Sequence, residues 1–89
     1  MARRIAFGPN GWADYLHWQT QDSKALDRIN LLIRECLPDP FRGIGKREPL
    51  KREYIGCWSR RIDATNLLIY RIVANNLEIV ACRYHDGDR

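Results

Sequence analysis

The 89-residue chain lacks most of the features that would assign it quickly. Its three cysteines, Cys36, Cys57 and Cys82, are odd in number and far apart, a poor disulfide framework that points to a reducing, cytoplasmic setting. There is no Cys-x-x-Cys, and Cys82 with His85 would supply half of a zinc site at most, so no metal is expected. Unbroken apolar runs stop at a few residues, as in Leu67-Leu68-Ile69-Tyr70, where a bilayer span needs about 20. Residues 1–20 carry two arginines but no continuous apolar stretch of the kind a secretory leader requires. Six glycines and four prolines are too few for a low-complexity or collagen-like chain, and 45% hydrophobic residues are too many for disorder. Walker-type and dinucleotide glycine patterns are missing, since Gly43-Ile44-Gly45-Lys46 has neither the spacing nor the flanking elements. No Gly-x-Ser-x-Gly elbow exists, and Ser59 has no assignable base.

What the chain does have is positive charge in one place. Net charge is +4, and the stretch from Arg42 to Arg61 holds seven basic residues against Glu48 and Glu53, a local excess of five. The remainder is close to neutral. Arginine outnumbers lysine 12 to 3, and its planar fork suits phosphate oxygens and base stacking. A compact basic segment on a near-neutral body fits a polyanion partner, with a solvated charged loop as the plain alternative. The length allows one domain, 1–89, with a modest core.

Along the chain, Arg4-Ile5-Ala6-Phe7 reads as a first strand stopped by Gly8-Pro9. Asn10 is placed to cap a helix that packs through Trp12, Tyr15 and Leu16, leaving Asp14 and His17 on its other side. Asp22 or Ser23 caps a second helix with Leu26, Ile29, Leu32, Ile33 and Cys36 on one stripe, ended by Leu37-Pro38-Asp39-Pro40. Phe41 to Tyr54 has no sustained period. Three strand-like runs follow, Ile55–Ile62, Leu67–Val73 and Leu77–Tyr84, and the short turns between them dictate an antiparallel meander. Alternation assigns Trp58, Ile62, Leu68, Tyr70, Ile72, Val80, Cys82 and Tyr84 to the core face. Ser59, Arg61, Arg71, Arg83 and His85 fall on the opposite face. The expected fold is α+β, two N-terminal helices on one face of a small twisted, mainly antiparallel four-stranded sheet.

Glu48, Lys51, Arg61, Arg83 and His85 together form a kit for cleaving RNA through its own 2′-hydroxyl: a base, cations for the phosphorane, and an acid for the leaving 5′-oxygen. His85 suits the acid because imidazole titrates near neutrality. As a set of residue types the kit has low specificity, since carboxylates in basic loops commonly serve as salt-bridge partners.

Five blocks sharpen the reading: Trp12-x-Asp14-Tyr15-x-x-Trp18, Pro40-Phe41-x-Gly43-x-Gly45-Lys46, Glu48-Pro49-Leu50-Lys51, Trp58-Ser59-Arg60-Arg61-Ile62 and Ala81-Cys82-Arg83-Tyr84-His85. In order and spacing they resemble the YoeB (Txe/YoeB) toxins of the RelE superfamily of bacterial toxin–antitoxin systems. The resemblance implies an mRNA interferase acting in the ribosomal A site, neutralised by a YefM/Phd-type antitoxin, with a homodimer as an expected free form and no cofactor. It implies Glu48 as general base, His85 as general acid, and Lys46, Lys51, Arg61 and Arg83 as phosphate-binding cations. One departure stands out. The family usually places His-Arg ahead of the Leu/Val-Tyr of the next strand, whereas this chain has Asn66-Leu67. Parity sets Leu67 on the wet face, where a transition-state cation is missing. A non-cutting relative that binds ribosome or antitoxin is therefore the second reading. A DNA-binding module fits the basic loop but lacks a recognition helix with clustered arginines.

Overall fold

The structure, a computed structural model, describes residues 3–40, 48–49 and 54–85, with 48, 49, 84 and 85 described by backbone alone. In chain order the elements are β1 (Ile5–Phe7), α1 (Pro9–Gln21), α2 (Ser23–Cys36), β2 (Glu48–Pro49), β3 (Trp58–Arg61), β4 (Asn66–Val73) and β5 (Asn76–His85). Asp22 separates the helices. Its extended backbone breaks α1, and its carboxylate accepts from the N–H groups of Lys24 and Ala25 to start α2. The α2 stripe is buried through Ala25, Ile29, Leu32, Ile33 and Cys36. It packs with Trp18, Ile62, Leu68, Tyr70, Leu77, Ile79 and Cys82 into the main core.

The sheet order is β1-β5-β4-β3-β2. β1 runs parallel to β5, and the other neighbours are antiparallel. The four expected strands are there, and the two residues of β2 extend the sheet at its far edge. Ala74 and Asn75 both have positive φ, the twist that a two-residue hairpin between right-twisted strands needs, and they join β4 to β5.

Two expectations are corrected at α1. The helix begins at Pro9, with Gly8 as its cap and no side-chain capping bond, so Asn10 lies inside the first turn. Its buried face is Gly11, Asp14 and Trp18, while Trp12 is 49% and Leu16 42% exposed. The reason is a backbone approach. A Cβ at Gly11 would sit 2.1 Å from the carbonyl oxygen of Ile79, so only glycine lets α1 settle on β5. Apolar periodicity marks the wrong face because this contact is with strand backbone. Trp12 instead stacks on Tyr15 and meets the edge of Phe7 beside the helix.

A third correction concerns β5. Its register against β4 shifts twice, between Tyr70↔Ile79 and Ile69↔Ala81 and again before Leu67↔Tyr84. Strict alternation therefore fails. Leu77, Ile79 and Cys82 join the main core, whereas Val80 and Ala81 belong to a second cluster with Cys57, Leu67, Ile69 and Tyr54.

Alanine at position 11 should reverse the usual helix preference. Gly→Ala inside a helix ordinarily stabilises by about 1 kcal/mol, but Gly11→Ala should cost about 3 kcal/mol or more, because backbone on backbone must move apart. Urea denaturation checks the sign.

Candidate active site

The sheet register gives the site its frame. Glu48 pairs with Ser59, Ser59 with Ile69 and Ile69 with Ala81, one row across four strands. The neighbouring row is Arg61–Leu67–Tyr84, and Asn66 pairs with His85 beyond it. Glu48 and His85 thus belong to β2 and β5, three inter-strand steps apart, which is roughly 14 Å across the sheet. Arg61 and Arg71 are exposed, as alternation requires of the face turned from the helices, and Arg83 is exposed within the irregular stretch of β5. Lys46 and Lys51 lie outside the described residues. Because a register shift falls between Ala81 and Tyr84, two-residue spacing no longer assigns Arg83 and His85 to a common face.

Each cation on this face has its own surroundings. Arg71 pairs with Glu78, its cross-strand partner. Arg61 donates from Nη1 to the carbonyl oxygens of Asp63 and Ala64, both at 3.3 Å, so the β3–β4 turn holds its guanidinium. Asp63 organises that turn. Its Oδ1 accepts from the N–H of Thr65 at 2.9 Å and of Asn66 at 2.7 Å. Partial burial opposes ionisation, but these backbone hydrogen bonds and those from the Thr65 and Asn66 side chains prevail, and the carboxyl titrates below its ordinary range.

Arg60 belongs elsewhere. It belongs to the basic stretch of the sequence, yet it is 0% exposed. Its Nη2 donates to the carbonyl of Pro40 at 3.0 Å and its Nε to the Tyr70 hydroxyl at 3.3 Å, with the guanidinium 5.7 Å from the ring centre. Tyr70 also donates to the Pro40 carbonyl. This clasp ties β3 and β4 to the chain at Pro40, just before the basic stretch. Burial pushes the neighbouring Cys36 thiol up to about 11, against the opposing charge of Arg60.

Asp14 and Trp18 are residues that periodicity missed. The Asp14 carboxylate oxygen Oδ2 accepts from the N–H groups of Cys82 (3.0 Å) and Arg83 (3.1 Å). Trp18 donates its indole N–H to the carbonyl of Cys82 at 2.7 Å. The Cys82 thiol between them is pushed up to about 12, mainly by burial and further by the Asp14 charge. The available signal was the spacing Gly11, Asp14, Trp18, one helical face with a glycine, a carboxylate and an indole. His17 is half-buried, its ring edge-on to Trp18 at 4.9 Å.

Leu67 is where expectation and structure part most clearly. It lies on the expected face, paired with Arg61, but it is 5% exposed rather than wet. The turn before β3, closed by the Cys57 N–H on the Tyr54 carbonyl and by Gly56 at φ +86°, brings Tyr54 and Cys57 into its cluster. Leu67→Arg should therefore lower stability by about 2 kcal/mol or more, as loss of a buried leucine does. A cost below about half a kcal/mol, the usual range for surface positions, would return Leu67 to solvent.

Residues 7–86 match the family described as the YoeB-like toxin of bacterial type II toxin-antitoxin system. A Toxin YoeB from Streptomyces coelicolor is 51% identical over 82 residues, covering 92% of this chain and 98% of the relative. Among solved structures, the YoeB/ParE toxin from Agrobacterium tumefaciens is similar with a TM-score of 0.86 at 40% identity, covering 92% of this chain and 98% of that one. A chain in the YoeB-YefM complex from Staphylococcus aureus is similar with a TM-score of 0.84 at 34% identity, covering 96% and 99%.

Proposed function

The chain belongs to the YoeB-like toxins of bacterial type II toxin–antitoxin systems, and on that premise we propose that it cleaves mRNA in the ribosomal A site. Toxins of the YoeB and RelE families are endoribonucleases; the ribosomal substrate and the residue roles are the further step. Glu48 takes the proton of the 2′-hydroxyl, and the freed oxygen attacks the adjacent phosphorus. Arg61, Arg83, Lys46 and Lys51 bear the charge of the pentavalent phosphorane. His85 gives a proton to the departing 5′-oxygen, leaving a 2′,3′-cyclic phosphate and a free 5′-hydroxyl. The observation that carries this reading is the exposed Arg61 on β3, paired with Leu67 where the resemblance expects a cation, in a chain that matches the YoeB-like family over residues 7–86.

A YefM-type antitoxin is the proposed partner, as in the complex of the Staphylococcus aureus relative. An acidic segment would meet the basic stretch, with Arg60 excluded because it is buried in the clasp. The second reading, a toxin that binds without cutting, is favoured by one feature. Leu67 supplies apolar surface to a closed cluster at the position where the resemblance expects a cation.

Single-turnover cleavage of ribosome-bound mRNA separates the two. Glu48→Gln and His85→Gln should each slow cleavage roughly 10²–10⁴-fold with ribosome affinity little changed, the usual scale for a general acid or base. Leu67→Arg, compared per folded molecule, should speed it by about 10²–10³, the value of one transition-state donor. Tight ribosome binding with no cleavage by either the parent chain or Leu67→Arg would establish the second reading instead.

A further inference from the structure

The β5 strand reaches its last residues through an irregular stretch. The pairs Ile69↔Ala81 and Leu67↔Tyr84 leave one more residue on β5 than on β4, so the ladder cannot serve every amide between them. Consecutive N–H groups of Cys82 and Arg83 instead point to one acceptor, Asp14 Oδ2, at 3.0 and 3.1 Å. One turn further along α1, Trp18 donates to the carbonyl of Cys82 at 2.7 Å. Two donors and an acceptor released by the bulge are thus all met from one helix face, which Gly11 brings into backbone contact with the same strand.

A carboxylate is not needed here for packing, since the surrounding core is apolar and only 8% of Asp14 is exposed. Burying a charge is costly unless hydrogen bonds compensate it, and charge-assisted bonds to backbone amides are the strong kind. The two amides it holds belong to the residue before Arg83 and to Arg83 itself, and His85 is two positions on.

We infer that Asp14 is a positioning residue: together with Trp18 it fixes the bulge in β5 and so sets where Arg83 and His85 stand at the end of the strand. The inference rests on the proposed roles of Arg83 and His85, but its geometry does not. Asp14 touches no reacting atom and acts through the strand.

The test compares the parent chain with Asp14→Leu, which removes the acceptor, Asp14→Asn, which keeps a carbonyl oxygen, and Trp18→Phe, which keeps an aromatic ring but loses the donor. Native-state amide exchange, the His85 ring resonance and single-turnover cleavage are read on the same preparations. In Asp14→Leu, exchange at Cys82 and Arg83 should quicken about 30-fold or more while Tyr70 and Leu77 stay near the parent rate. The His85 resonance should move, and cleavage at saturating ribosomes should fall about tenfold or more with ribosome affinity kept. Asp14→Asn should restore most of each. Unchanged exchange at Cys82 and Arg83 would overturn the inference, as would parallel loss of protection across the whole sheet or an unmoved His85 ring. A parent chain that cuts no RNA would sink the proposed function, leaving exchange and the ring resonance to decide positioning alone. Should Asp14→Leu fail to fold, Trp18→Phe and Asp14→Asn decide by the same measurements.

Discussion

At Gly11, α1 approaches the backbone of β5 too closely for any side chain, and much of the rest follows from it. At Gly11 there is no room even for a methyl group above the Ile79 carbonyl. That proximity turns the small and polar face of α1 inward and the aromatic face of Trp12 outward. It also lets short side chains reach strand amides, which is why a carboxylate one turn from Gly11 can serve the β5 bulge. The main core then fills from α2, whose stripe meets β4 and β5 in the ordinary way.

The opposite face of the sheet is built on a different balance. It carries the exposed cations Arg61 and Arg71, yet a small apolar cluster around Leu67 and Ile69 sits among them. Charge and burial therefore alternate on one surface. Arg60 follows the reverse logic: it faces the helices, where Tyr70 and the Pro40 carbonyl receive two of its donors. A count of basic residues cannot separate these cases, since Arg60 and Arg61 are adjacent in sequence and opposite in role.

Much of this architecture is legible in the sequence. The second helix, its Asp22 cap and its buried stripe follow from a 3.6-residue period, and the β4–β5 hairpin follows from two alternating runs with a short turn. The errors have one physical source, departures from strict period. The α1 face was missed because Gly11 and Asp14 contact backbone, which no hydrophobic pattern records. Val80 leaves the face that alternation assigns it because a register shift changes the alternation within β5. Leu67 was set on the right face and given the wrong exposure, because a turn distant in period, Tyr54–Cys57, joins its cluster. The residue roles at Glu48 and His85 rest on the resemblance and on the chemistry of a carboxylate and an imidazole, since the register sets Glu48 in the row of Ile69 and His85 opposite Asn66, rows of opposite parity.

The central claim is that RNA is handled on the sheet face turned away from the helices. Photocrosslinking tests it most directly, with 4-thiouridine in the A-site codon of an mRNA-programmed ribosome carrying the toxin. The account predicts crosslinked peptides from β3 through β5, around Arg61 and Arg83. Crosslinks confined to the helices, Pro9–Gln21 and Ser23–Cys36, would contradict it.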